Sequence, residues 1–277
     1  MATTDIYYLS APTVPAKNAV RFLGGDVDDG VQVDAFVVTR TAANDDSGTI
    51  IAWVNIPDIT GTYTILGMGD ANVVEYIHFS VESGKMFAAC NDATTMQWDV
   101  NTTDVVITPH KWHHVALVQK NGDFGPKFYV DGVLKARTDT TTTDLDEWIV
   151  NLDGLDGGHI GAADSIGGAA ALTQEFKGAI SDVKYYNTAL TAAQIIDDMN
   201  GVVLTTGLTN RWKLSDDLVD NIAAEDGTAV GAIVFNAGYS EFASRLGFRP
   251  AAQAVVADVV TLAVDEKTGY AVIIKAA

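Results

Sequence analysis

One stretch constrains the fold more than any other: KWHHVALVQK, Lys111–Lys120, followed by KFYVDGVL, Lys127–Leu134. Phe128, Tyr129 and Val130 run into Asp131-Gly132 and out through Val133 and Leu134. Asp-Gly readily takes the positive φ of a type I′ turn, so the second part reads as a tight antiparallel hairpin. In the first part Trp112, His114, Ala116 and Val118 fall on one face of an extended chain, and His113, Val115 and Leu117 on the other. Apart from its two histidines this strand is apolar on both sides, as only a strand central to a sheet with both faces covered can be.

The rest of Ala19–Asn187 repeats the theme: short runs of Val, Ile, Tyr and Phe alternate with clusters of Gly, Asp, Asn and Thr. Asn121-Gly122 turns the chain after Trp112–Lys120, and Glu82–Lys85, with Gly84, joins Tyr76–Val81 to Met86–Cys90. Helical periodicity is nearly absent. One short helix is expected over Thr191–Met199, with Thr191 as N-cap and Gly201 beyond its end. The threonine run Thr138–Thr143 reads as a surface loop, and Gly154–Gly168 as a glycine-rich connection broken only by His159–Ala163. Cys90, the single cysteine, excludes an intrachain disulfide and reads as a small core residue.

Charge narrows the partners. Seventeen basic against 36 acidic residues give a net charge of -19, which argues against a nucleic-acid surface or an anionic membrane and supplies carboxylates for a hard cation. Every apolar run, Thr49–Ile56 and Ala251–Val264 included, stops short of the ~18 residues that span a bilayer. Met1–Val20 lacks the basic start and apolar stretch of a secretory signal.

Four segments together resemble the laminin G-like, concanavalin A-like jelly-roll family: AVRFLGGDVDDGVQV (19–33), SGTIIAWVN (47–55), the hairpin at 111–134, and FKGAISDVKYYNTAL (176–190). The resemblance implies an all-β antiparallel jelly-roll β-sandwich with one short helix and terminal extensions, and ligands on a concave outer face where exposed aromatics would bind them. A family strand of the form G-L-x-x-x-W-x-L, which in many members precedes the opening strand, stands here as GLTNRWKL at Gly207–Leu214. This placement reads either as a circular permutation in which the moved strand completes the same sheet or as the start of a partial second module ending near Phe242. Permutation is preferred because too few residues follow for another sandwich. The expected division is an N-terminal arm (1–18), the jelly-roll domain (19–242) and a C-terminal apolar extension (243–277). The resemblance also implies a calcium ion held by Asp182, and the acidic turn with Asp26, Asp28 and Asp29 is a second candidate. Trp53, Trp112 and Trp212, each within an apolar strand, are expected in the core.

Catalysis is not expected. Related glucanases carry E-x-D-x-x-E, whereas Asp144, Asp146 and Glu147 lack the spacing that sets two carboxylates across a glycosidic bond and read as a solvated loop. His113 and His114 point to opposite faces of a strand and cannot share zinc with His110; His114 reads as a hydrogen-bonded core residue and His113 as partly exposed.

Two roles follow for a non-enzymatic sandwich of this kind. The first is a virion structural protein, such as a phage capsid decoration or head fibre, reaching the outside by lysis and contacting other virion proteins or copies of itself. The alternative is a carbohydrate-binding or surface-adhesion module of a cell, with a glycan partner and an extracellular or cell-surface location. The chain ends offer candidate interface residues in an arm with Tyr7, Tyr8 and two prolines and in an apolar hairpin that includes Val255, Val256, Ile273 and Ile274, with packing of the hairpin on its own sandwich an equal alternative to a partner.

Overall fold

The computed structural model describes residues 8–9, 17–23, 28–164, 171–239, 260–264 and 271–275. Two compact units result: Lys17–Tyr239, and Met1–Ala16 together with Ser240–Ala277.

The larger unit is an antiparallel β-sandwich. In spatial order its first sheet runs Val133–Leu134, Lys127–Val130, His113–Gln119, Gly48–Asn55, Gly178–Tyr186, Lys17–Phe22 and Ile233–Tyr239. Leu208–Trp212, within the moved GLTNRWKL segment, pairs with Val183–Tyr186 of the strand that also carries Lys17–Phe22, so it does complete this sheet. The second sheet runs Arg137–Thr142, Thr95–Thr102, Lys85–Asp92, Tyr76–Glu82, Thr62–Gly69, Gly157–Ile160, Gly30–Gln32 and Thr228–Val230. His113–Gln119 is central as its pattern requires: Val115 and Leu117 join the core between the sheets, while Ala116 and Val118 join a smaller apolar cluster on the outer face. Asp131 and Gly132 take φ of 53° and 74°, the turn that the Asp-Gly pair calls for.

That outer cluster is roofed by a helix, α2 (Ala192–Met199), whose Ile195 packs with Ile51, Tyr129, Tyr186 and Leu190. Thr191 and Gln194 form its capping box. Beneath it, Asp198 binds Lys184 Nζ through both oxygens at 2.9 Å, His114 Nε2 at 3.1 Å and Tyr186 OH at 2.9 Å.

The structure corrects several readings. A second helix, α1 (Asp34–Ala43), is present where only one was expected. Its β-branched residues hide its helical pattern, and packing supplies the stability: Phe36 meets Tyr185 and Trp212 edge-on at 5.1 and 5.3 Å. The threonine run is not a loop but mostly an edge strand, Arg137–Thr142, paired with Thr95–Thr102. His113 is buried rather than partly exposed, because Nδ1 donates to Asp131 and Nε2 accepts from the Thr108 amide. Trp112 and Trp212 are buried, whereas Trp53 is only half-buried and lies edge-on to His114.

The second unit joins the chain ends. Val260–Val264 and Ala271–Lys275 form an antiparallel hairpin, and Tyr8–Leu9 adds to it by pairing with Ala271–Val272. Tyr8, Ile273 and Ile274 therefore lie in one three-stranded sheet. Tyr7, Val255 and Val256 fall outside the described residues, as does Asp26.

Candidate functional site

The registers of the second sheet place Gln32, His159, Gly67, His78, Ala89 and Asp99 in one row across its outer face. A strap crosses this row at Gly67, where a Cβ would stand 2.6 Å from the Ala162 carbonyl and 2.7 Å from Ala163 Cα. Only glycine admits so close a backbone. The strap is a small two-stranded sheet, Ala163–Asp164 with Leu172–Thr173, and it is tied down by the Thr64 amide donating to the Gln174 carbonyl at 3.1 Å.

Beside the strap lies a cavity of about 500 Å³, lined by Asp28, Gln32, Asp34, Asp156, His159 and Asp164, with Leu172 and Val230 among its apolar neighbours. Most of these polar groups are hydrogen-bonded to neighbours. Asp34, the first residue of α1, accepts from the Gly158 amide at 2.9 Å and from Gln32 Nε2 at 2.6 Å. His159 Nδ1 lies 2.7 Å from Asp164 Oδ2. Asp156 accepts from the Ala71 amide at 3.2 Å. Among the described lining residues four are aspartates and none is lysine or arginine, so the cavity carries a negative field.

Across the same outer face Tyr76 stacks on His78 at 5.5 Å, and His78 meets Phe87 at 5.3 Å. The family resemblance called for exposed aromatics here, yet Tyr76 and His78 are buried. Burial lowers the His78 pKa to about 4, so the ring is neutral near pH 7. Among the described residues, both its nitrogens, Thr64 Oγ1, Ser80 Oγ and Asn91 Oδ1 are buried without hydrogen-bond partners.

Of the calcium candidates, Asp182, Asp28 and Asp29 are described. Asp182 sits at a bulge with φ 53°, where its oxygens meet Arg211 Nε at 2.7 Å, Arg211 Nη2 at 3.2 Å and Lys184 Nζ at 2.9 Å. Burial works to raise its pKa, but these two cations outweigh it and hold the carboxyl below the ordinary range. The positive charge that Asp182 meets thus belongs to two side chains. Asp28 lines the cavity, and Asp29 is buried, accepting from the Ala232 amide at 2.6 Å. Asp144 and Asp146 are exposed, but Glu147 is not part of a solvated loop. Its carboxyl is buried near Asp92, Asp144 and Glu75, and burial with these charges raises its pKa to about 7.

Sequence reasoning passed over Gln32, Asp34, His159 and Asp164. The signal for His159 was its place between Gly157-Gly158 and Gly161, three positions where a side chain would collide with its surroundings. Asp34 and Asp164 gave no signal, since the fold alone brings them to His159.

Comparison with known proteins agrees with this architecture. No curated protein sequence matches the chain. Among solved structures, the IT-sialidase CBM40 of Ruminococcus gnavus bound to α2,3-sialyllactose has a TM-score of 0.54 at 16% identity, covering 66% of this chain and 97% of that one. A Bacteroides ovatus protein, described provisionally as carbohydrate-binding, has a TM-score of 0.52 at 20% identity over 82% of this chain and 61% of that one. The leech intramolecular trans-sialidase has a TM-score of 0.53 at 19% identity, covering 69% of this chain but 29% of that one. At these identities the likeness is one of fold. The family model for the concanavalin A-like lectin/glucanase superfamily matches residues 24–196, more than half of the chain, and the protein belongs to that superfamily.

Proposed function

We propose that the chain is a carbohydrate-binding module and that the outer-face cavity beside the strap takes a neutral glycan without hydrolysing it. The observation that carries this reading is the cavity itself. Its volume suits a small saccharide, and its lining combines an amide, an imidazole and carboxylates with Leu172 and Val230. Carboxylates and amides accept and donate to vicinal hydroxyls, while apolar side chains cover the sugar's C–H face. Four aspartates repel a sialic acid carboxylate, so the ligand differs in charge from the one bound by the Ruminococcus domain.

Of the two roles read from the sequence, the relatives favour the glycan-binding one over a purely structural virion role. A virion that displays such a module is a separate matter of location, read by mass spectrometry of purified particles. The binding test is a glycan array followed by titration calorimetry. Neutral oligosaccharides are expected to bind and to be recovered intact, and Gln32→Ala is expected to weaken them. Binding of no glycan, a preference for sialylated ones, or turnover of the bound saccharide would overturn the reading.

A further inference from the structure

Three side chains among the polar lining on which the glycan reading rests also form a metal-type donor set. One ligating atom each from Asp34, His159 and Asp164 all lie within 4.8 Å of one another, a spread that closes onto bonds of about 2.1 Å with small side-chain rotations. We propose that these three residues bind a divalent first-row transition ion, zinc or manganese, leaving coordination positions open to the cavity.

The donors come from three separate elements. His159 is on the strand Gly157–Ile160, Asp34 opens α1, and Asp164 is on the strap. His159 and Asp164 are more than nine-tenths buried, yet the cavity opens on them. Two glycines make the room. A Cβ at Gly157 would stand 2.7 Å from Asp164 Oδ2, and one at Gly30 would stand 3.1 Å from His159 Cδ2. The Gly158 amide and Gln32 Nε2 each donate to one oxygen of Asp34, which orients the carboxylate and leaves lone pairs for an ion.

The donor chemistry selects the ion. One imidazole nitrogen with two carboxylates suits zinc or manganese, whereas calcium takes oxygen ligands alone. Asp28 and Asp156 line the same cavity and add to the field that draws a cation in. The site differs from the one expected at Asp182, where two basic side chains already neutralise the carboxylate.

The test uses the full chain and the metal alone, so its outcome is independent of any glycan screen. After chelator treatment, calorimetric titration with zinc chloride and with manganese chloride is expected to show one equivalent bound, and calcium chloride to bind more weakly. Asp34→Asn and His159→Gln are each expected to weaken zinc by at least about tenfold while unfolding curves show both variants folded. A second measurement needs no variant: manganese is expected to broaden the imidazole resonances of one histidine most strongly, with His78, two strands from His159, next among the five in the chain. Absence of zinc and manganese binding, calcium binding tighter than zinc, full affinity in both folded variants, or uniform broadening of all five histidines would each overturn the proposal.

Discussion

Glu147 and His78 pull the stability of the fold in opposite directions along the pH axis. The carboxyl of Glu147 titrates at about 7 in the folded chain against an ordinary 4.5. Between those values the folded chain keeps a proton that the unfolded chain has released, so stability falls as pH rises through the window. Glu147→Gln removes the group that titrates. Its melting temperature is expected to gain on that of the unsubstituted chain from about pH 4.5 to 7 and to keep a constant lead above; a constant difference throughout would refute the assignment. His78 works on the acid side. Its folded value of about 4 lies below the ordinary 6.5, so the unfolded chain takes up a proton that the folded chain refuses. Stability therefore drops as pH falls from 6.5 towards 4, and His78→Phe, with Tyr76 and Phe87 beside it, is expected to flatten that drop in melting scans. Neither residue announces itself in the sequence, because burial by distant segments sets both values.

At the scale of elements, what could be read early was what local chemistry dictates. Asp131-Gly132 makes its turn wherever it stands, and Thr191 with Gln194 starts α2 by capping its own first turn. Alternation within His113–Gln119 likewise identified a strand covered on both faces. α1 was illegible because Val37, Val38, Thr39 and Thr41 carry strand propensity, and tertiary packing, with Phe36 on Tyr185 and Trp212 and Val37 in the same core, holds the segment helical. The candidate site was illegible for a related reason: its parts meet only after both the sheet and the strap have formed. Long-range packing of this kind also anchors α2. Asp198→Ala strips the partner from Lys184, His114 and Tyr186 in a buried setting, and Asp182 at 2.9 Å from Lys184 compensates only partly. The expected loss is about 3 kcal/mol, the lower end for breaking a buried ion pair, measured by urea unfolding. Thr191→Ala, which removes only the cap, is expected to cost about 1 kcal/mol in the same measurement.

The whole molecule comprises a self-contained sandwich and a small sheet made from its own two ends. Every residue of the main core falls between Val20 and Leu214, and both large sheets close within Lys17–Tyr239. The described residues that line the cavity also fall between Asp28 and Val230. A chain cut to residues 17–239 is therefore expected to unfold in one cooperative transition and to keep its ligand and metal affinities. The small sheet stands differently. Its apolar strand Ala271–Lys275 is paired on one side by Val260–Val264 and on the other by Tyr8–Leu9. Deleting Met1–Ala16 alone uncovers one edge of that strand while leaving the hairpin in place, and an unpaired apolar edge recruits strands from other chains. The arm-deleted protein is thus expected to self-associate more than either the full chain or residues 17–239, although it is intermediate between them in length. Light scattering coupled to size exclusion over a range of concentrations reads this order directly. Equal behaviour of all three would show that the arm does not guard the edge, and loss of folding in residues 17–239 would show that the sandwich needs the small sheet to stand.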